Sequence, residues 1–149
     1  MRDRWVRQMV VGGLAVVATL ALAVGVQAQT KRIPLMADPK WSTAGKASGE
    51  LVITRNGGQA ELTLTAKGLR AEGVYSVWFV NMQPQMQKAG VGQAPYAFTA
   101  KRNGQGTYKT AVSAADLEKW QVVFIVRHPD GNPQNMQQME DALMGKLMP

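Results

Sequence analysis

The 149-residue chain has no cysteine and only one histidine, His128. Without cysteine no disulfide can form, so packing alone must hold the folded chain together. Zinc sites built from cysteines or from several histidines cannot be assembled within one chain. These two absences exclude the commonest ligand sets for a structural or catalytic zinc ion.

Motifs of the common catalytic sites are also missing. The chain contains neither a G-x-S-x-G nucleophile elbow nor a G-x-x-x-x-G-K-[ST] phosphate loop. The close acidic pairs Asp116/Glu118 and Glu140/Asp141 are interpreted as solvated charges on predicted helices. We therefore predict that the protein is not an enzyme. The alternative is an enzyme that acts through arginine and tyrosine side chains.

The first 28 residues have the three-part plan of a secretory signal peptide. Three arginines precede an apolar run from Met9 to Val26, and Val26-Gln27-Ala28 supplies small residues before a cut at Gln29. This pattern predicts a periplasmic or extracellular protein. The run is also close to the shortest membrane-spanning helix, so an uncleaved anchor in the inner membrane is the alternative.

The 121 residues after position 28 suffice for one hydrophobic core and carry 14 Lys and Arg against nine Asp and Glu. Their basic residues are scattered rather than gathered in a stripe, which argues against a nucleic-acid partner. We expect an unknown envelope protein or surface component as partner, and contact with a membrane only if the N-terminal segment is uncleaved.

Residues 29–48 are irregular in pattern and are predicted to be a leader with at most one edge strand, followed by a domain over 49–149. Alternation predicts a hairpin of 50–55 with 59–67. A two-residue loop at Asn56-Gly57 would set Ile53 opposite Ala60 and keep the apolar faces together.

The rest of the pattern predicts more strands and two helices. The strand 74–80 (VYSVWFV) is apolar on both faces, which is typical of a central strand and predicts Trp78 in the core. A second hairpin is predicted for 96–100 with 107–112, and another central strand for 122–127. Helices are predicted from Ser113 to Trp120 and from Asn132 through Met136, Met139, Leu143 and Leu147.

These elements predict a mainly β fold, an antiparallel immunoglobulin-like β-sandwich of about five to seven strands with a short helix and a C-terminal helix.

Candidate site residues come from the methionines, the histidine and two tryptophans. If Met82 and Met86 converge with His128, their thioethers and imidazole suit Cu(I). The alternative is that these methionines fill a loop or the core. Trp41 and Trp120 lie in less regular segments, where an exposed tryptophan could anchor an interface or, alternatively, belong to the core.

The strand succession GELVITRNGGQAELTLTAKGL, GVYSVWFVN, NGQGTYKTAV and VVFIVRHPDG, within residues 49–131, resembles the extracytoplasmic sandwich domain of anti-sigma factors of the anti-sigma-K type. It is also similar to other exported β-sandwich proteins. The resemblance implies a fold and a compartment. It implies no transcriptional role, because only about eight residues, MRDRWVRQ, precede the apolar run.

The predicted function is therefore an exported, non-enzymatic binding or interaction protein. The alternative is a periplasmic Cu(I)-binding protein that uses Met82, Met86 and His128.

Overall fold

The computed structural model describes residues 27–40, 42 and 44–149. Within them, strands joined by antiparallel ladders form one nine-stranded sheet, which curls into a half-barrel around a single core. Residues 1–26 of the predicted signal segment 1–28 lie outside the described residues, as does the candidate interface residue Trp41. Across the described part of the chain, no helix is both long enough and apolar enough to cross a bilayer.

The strands follow the chain in the order β1 (Gln29–Met36), β2 (Ser48–Asn56), β3 (Gln59–Lys67), β4 (Val74–Asn81), β5 (Gln87–Gly90), β6 (Ala97–Thr99), β7 (Gly106–Ser113), β8 (Val122–His128) and β9 (Glu140–Lys146), with helix α1 (Ala114–Leu117) between β7 and β8. In space their order is β5-β4-β8-β9-β1-β2-β3-β7. Strand β6 pairs with the first half of β4, on the edge that β5 shares.

The prediction of a mainly β, antiparallel fold is confirmed, but the described residues form nine strands rather than five to seven. These strands form one continuous sheet, and a sandwich is not confirmed. Strand β1 lies between β9 and β2 rather than at an edge. Its Ile33 and Leu35 alternate with exposed residues and are buried in the core. The segment 29–48 therefore contributes to the domain core.

The first hairpin forms as predicted, but its register differs by two residues. The loop is Gly57-Gly58, so Ile53 lies opposite Leu62 rather than Ala60. A shift of two residues keeps every side chain on its own face, so the match of apolar faces could not distinguish the two registers.

The predicted hairpin of 96–100 with 107–112 is wrong. In the described structure no ladder joins β6 to β7; β6 pairs with β4 and β7 with β3. The turn around Gly104 is present, and its carbonyl accepts a hydrogen bond from the Leu69 amide, 3.0 Å away. The chain therefore crosses from one margin of the curled sheet to the other at this turn.

The predicted C-terminal helix is also wrong, since residues 140–146 form strand β9 and the methionines Met136 and Met139 lie in the preceding loop. Leu143, Gly145 and Leu147 alternate toward the core, and the glycine hides this two-residue period from a hydropathy pattern. A bulge opposite Ile125 and Val126 accommodates one extra residue in β9.

The short helix is confirmed but ends at Leu117 rather than Trp120. Ser113 is its N-cap residue, although its side chain makes no capping hydrogen bond within the described structure.

Among the described residues, side-chain contacts rather than a strand ladder join the margins of the half-barrel. The Tyr108 hydroxyl donates to the Val91 carbonyl, and the Phe98 ring lies 5.5 Å from Tyr75 and 6.2 Å from Tyr108 between centroids. These aromatic contacts close the core on the side where β5 and β6 face β7.

Replacing Leu143 by Ala tests which face of β9 meets the core. Leu143 is fully buried and faces the core, so its truncation should lower the free energy of unfolding by about 2–5 kcal/mol. The neighbouring Met144 faces the opposite side and is half-buried, so Met144→Ala should cost less than about 1.5 kcal/mol. Urea denaturation measures both, and similar losses would contradict the alternation.

Candidate binding groove

Strands β4 and β8 are apolar on both faces. On the inner face, Val77 and Phe79 lie opposite Ile125 and Val123 and belong to the core. On the outer face the opposed pairs are Trp78 with Phe124 and Val80 with Val122. The outer face of an antiparallel sheet is ordinarily polar where it meets water, so this second apolar face requires another explanation.

The outer face of β4, β8 and β9 forms the floor of an open groove of about 540 Å³. Its lining is mostly apolar and includes five methionines: Trp78, Val80, Met82, Met86, Lys88, Val122, Phe124, Val126, Met136, Met139, Asp141, Met144 and Lys146. Val122 and Val126 face away from the core yet are only 8% and 5% exposed, because the surrounding groove residues shield them.

One wall of the groove is the connection between β4 and β5, which carries Met82 and Met86. Gln121 positions this connection, because its side-chain oxygen accepts from the Met82 amide at 2.8 Å and its side-chain amide donates to the Gln83 carbonyl at 3.1 Å. The two methionine side chains remain 47% and 77% exposed. Flexible apolar side chains therefore stand at the mouth of the groove in contact with solvent.

The opposite wall is the connection from 129 to 139, which carries Met136 and Met139. Asp130 organises it: its carboxylate accepts from the Asn132 amide at 3.0 Å and from the Asn135 side-chain amide at 2.7 Å. These hydrogen bonds favour the ionised form and hold the pKa of Asp130 below its ordinary value.

A buried polar chain connects this wall to the floor. The Trp78 indole donates to the Ser76 hydroxyl at 2.7 Å, and that oxygen lies 2.6 Å from Nε2 of His128. His128 Nδ1 lies 3.3 Å from the Asn135 carbonyl, which only accepts. The arrangement assigns the proton of a neutral ring to Nδ1 and lets the serine hydroxyl donate to Nε2.

Charged groups stand at both ends of the floor. Lys88 and Lys146 share one cross-strand row, separated by Val80 and Val122. Asp141 lies opposite Val126, toward the other end, and partial burial raises the pKa of its carboxyl. The groove therefore has a basic end and an acidic end joined by an apolar floor.

The structure brings Met82 and Met86 together with three further methionines but places His128 differently. His128 is 2% exposed, is not among the groove-lining residues, and has hydrogen-bond partners for both ring nitrogens. Among the described residues, no group of three or more His, Asp or Glu is placed to hold a metal ion. A site of Met82, Met86 and His128 stays a prediction that would require His128 to exchange one of these partners.

The other predicted site residue within the described chain, Trp120, lies away from this groove. It is half-buried and stacks on Phe79, with ring centroids 6.0 Å apart. Trp78, predicted to be a core residue, instead lines the groove and is partly exposed. The two apolar faces of VYSVWFV were the sequence signal for this groove, but periodicity alone cannot tell which face meets the core.

Ser76→Ala tests the buried polar chain. The substitution leaves the Trp78 indole and His128 Nε2 without their common partner, so we expect a loss of about 1–3 kcal/mol in unfolding free energy. Ser113→Ala is the matched control and should change stability by less than about 0.5 kcal/mol, because the Ser113 side chain makes no capping bond in the described structure. Equal effects in urea denaturation would contradict the assigned network.

Comparison with protein-family models and with curated protein sequences finds no match for this chain.

Proposed function

We propose that this protein binds a small, largely apolar ligand in the methionine-lined groove and does not transform it chemically. The observation that carries the proposal is the second apolar face of β4 and β8, where Trp78, Val80 and Phe124 are partly exposed between two methionine-bearing loops. Exposed apolar surface of this kind marks a binding site in soluble proteins, because burying it on a ligand is favourable. The predicted export places this binding in the periplasm or outside the cell.

The size and composition of the groove support a small ligand. Its volume of about 540 Å³ falls within the range of roughly 300–1,000 Å³ typical of small-molecule sites. The rigid part of the lining comes from strand residues such as Trp78 and Phe124, whereas four of the five methionines lie on loops and only Met144 lies on a strand. Methionine adapts its shape easily, so this combination suits ligands that share an apolar body but differ in outline.

Titration with N-phenyl-1-naphthylamine, a neutral apolar dye whose fluorescence rises in apolar surroundings, tests the proposed function. We expect saturable binding that weakens about three- to tenfold in Met86→Gln, because a methionine that covers the ligand is replaced by a polar side chain. Met86 is 77% exposed in the free protein, so folding should be preserved.

Met148→Gln provides the matched control, since Met148 is an exposed methionine that lies outside the groove lining. Its dye affinity should equal that of the unchanged protein. Absence of saturable binding, or equal weakening by both substitutions, would refute the groove as the binding site.

Cu(I) binding is the second candidate function, and the gathering of Met82 and Met86 with Met136, Met139 and Met144 in one groove favours it. Thioether sulfur is a preferred ligand of Cu(I). The apolar floor of valine, tryptophan and phenylalanine contributes no metal ligand, however, and this floor supports the apolar-ligand proposal more strongly.

Competition for Cu(I) against a chromogenic chelator under reducing conditions tests this candidate. The copper proposal expects affinity tighter than micromolar that falls at least tenfold in Met82→Leu/Met86→Leu, because leucine retains apolar bulk but offers no sulfur. His128→Asn separates the predicted three-residue site from a site of methionines alone. Binding weaker than micromolar would remove the copper function, and the dye titration would be unaffected by that result.

A further inference from the structure

We propose that the ligand is an anionic amphiphile, a single alkyl chain ending in a carboxylate, with its head group between Lys88 and Lys146 and its chain along the floor toward Met136 and Met139. This inference rests on the proposed function and adds the chemical class and the direction of the ligand.

The strand register places the two lysines as a pair. Lys88 pairs with Val80, Val80 with Val122, and Val122 with Lys146, which makes one continuous row across β5, β4, β8 and β9. Three strand spacings separate the outer members of this row, or roughly 14 Å between backbones. Both side chains line the groove. Because lysine stems are long and flexible, their ammonium groups can approach one head group from both sides.

Both lysines are available for such a ligand. They are exposed, and neither takes part in an ion pair among the residues that the structure describes. By contrast, the nearby Lys119 is paired with Asp116 at 2.8 Å. A carboxylate at the lysine end would therefore gain attraction without first displacing a partner.

The charges at the other end determine the direction of the ligand. Asp141 lines the groove beside Val126, four residues along β8 from the lysine row. An anionic head would be repelled there, whereas an alkyl chain would meet Met136, Met139 and Val126. The floor from Val122 to Val126 is roughly 14 Å long, about the length of a chain of ten to twelve carbons.

Paired titrations with decanoate and 1-decanol, read by displacement of N-phenyl-1-naphthylamine below the micelle-forming concentration, test the inference. The two compounds share the alkyl chain and differ in the charge of the head group. We expect decanoate to bind about three- to tenfold more tightly at low ionic strength, and most of this advantage to disappear at about 1 M salt, where charge attraction is screened.

Variants connect this preference to the two lysines. In Lys88→Gln/Lys146→Gln the preference for decanoate should vanish while decanol affinity stays the same. Lys67→Gln/Lys109→Gln removes the same net charge from exposed lysines outside the groove lining and should retain the preference.

Each outcome distinguishes the inference from the function on which it rests. Equal affinity for both compounds, or a preference that survives in Lys88→Gln/Lys146→Gln, would overturn the anionic ligand and leave the apolar groove intact. Failure of both compounds and of the dye to bind would overturn the groove itself. Binding to vesicles of anionic lipid but not to monomeric decanoate would overturn the inference in favour of a membrane surface as the partner.

Discussion

The pairing of β4 with β8 is the constraint on which the rest of this structure depends. Its register places Val77 against Ile125 on one face and Trp78 against Phe124 on the other, so two apolar surfaces stand back to back on the same pair of strands. Only one of them can face the core of a single curled sheet. The other must be covered by loops or by a ligand, because apolar surface left in water is unfavourable.

Loops cover only part of the outer apolar face of β4 and β8. The loops after β4 and after β8 bring methionines over the outer face, and each loop is held by polar groups: Gln121 for the first, Asp130 and His128 for the second. Hydrogen bonding thus positions the walls, while adaptable thioether side chains form the surface that a ligand would meet. His128 has a structural role here, because both of its ring nitrogens form hydrogen bonds, to Ser76 and to the Asn135 carbonyl.

Local alternation predicted strand β3, and short runs that are apolar on both faces predicted β4 and β8. Together with the turn signals between them, they were enough to predict an antiparallel sheet. Local alternation failed where two periods fit the same residues: Leu143 and Leu147 are four apart, which suits a helix, yet with Gly145 between them they also form one face of a strand. Of the groove, only Met82 and Met86 were singled out as site residues. Trp78 and Phe124 were missed because a strand that is apolar on both faces carries no local mark of which face meets the core.

Nuclear magnetic resonance of methionine methyl groups, labelled with ¹³C and observed while a neutral alkyl ligand is added, tests the central claim most directly. The account predicts that signals of the five groove methionines shift together along one saturation curve: Met82, Met86, Met136, Met139 and Met144. The signals of Met36 and Met148, which are exposed but lie outside the groove lining, should not shift. Shifts confined to Met36 or Met148, or no shift at saturating ligand, would show that the outer face of β4 and β8 is not a binding surface.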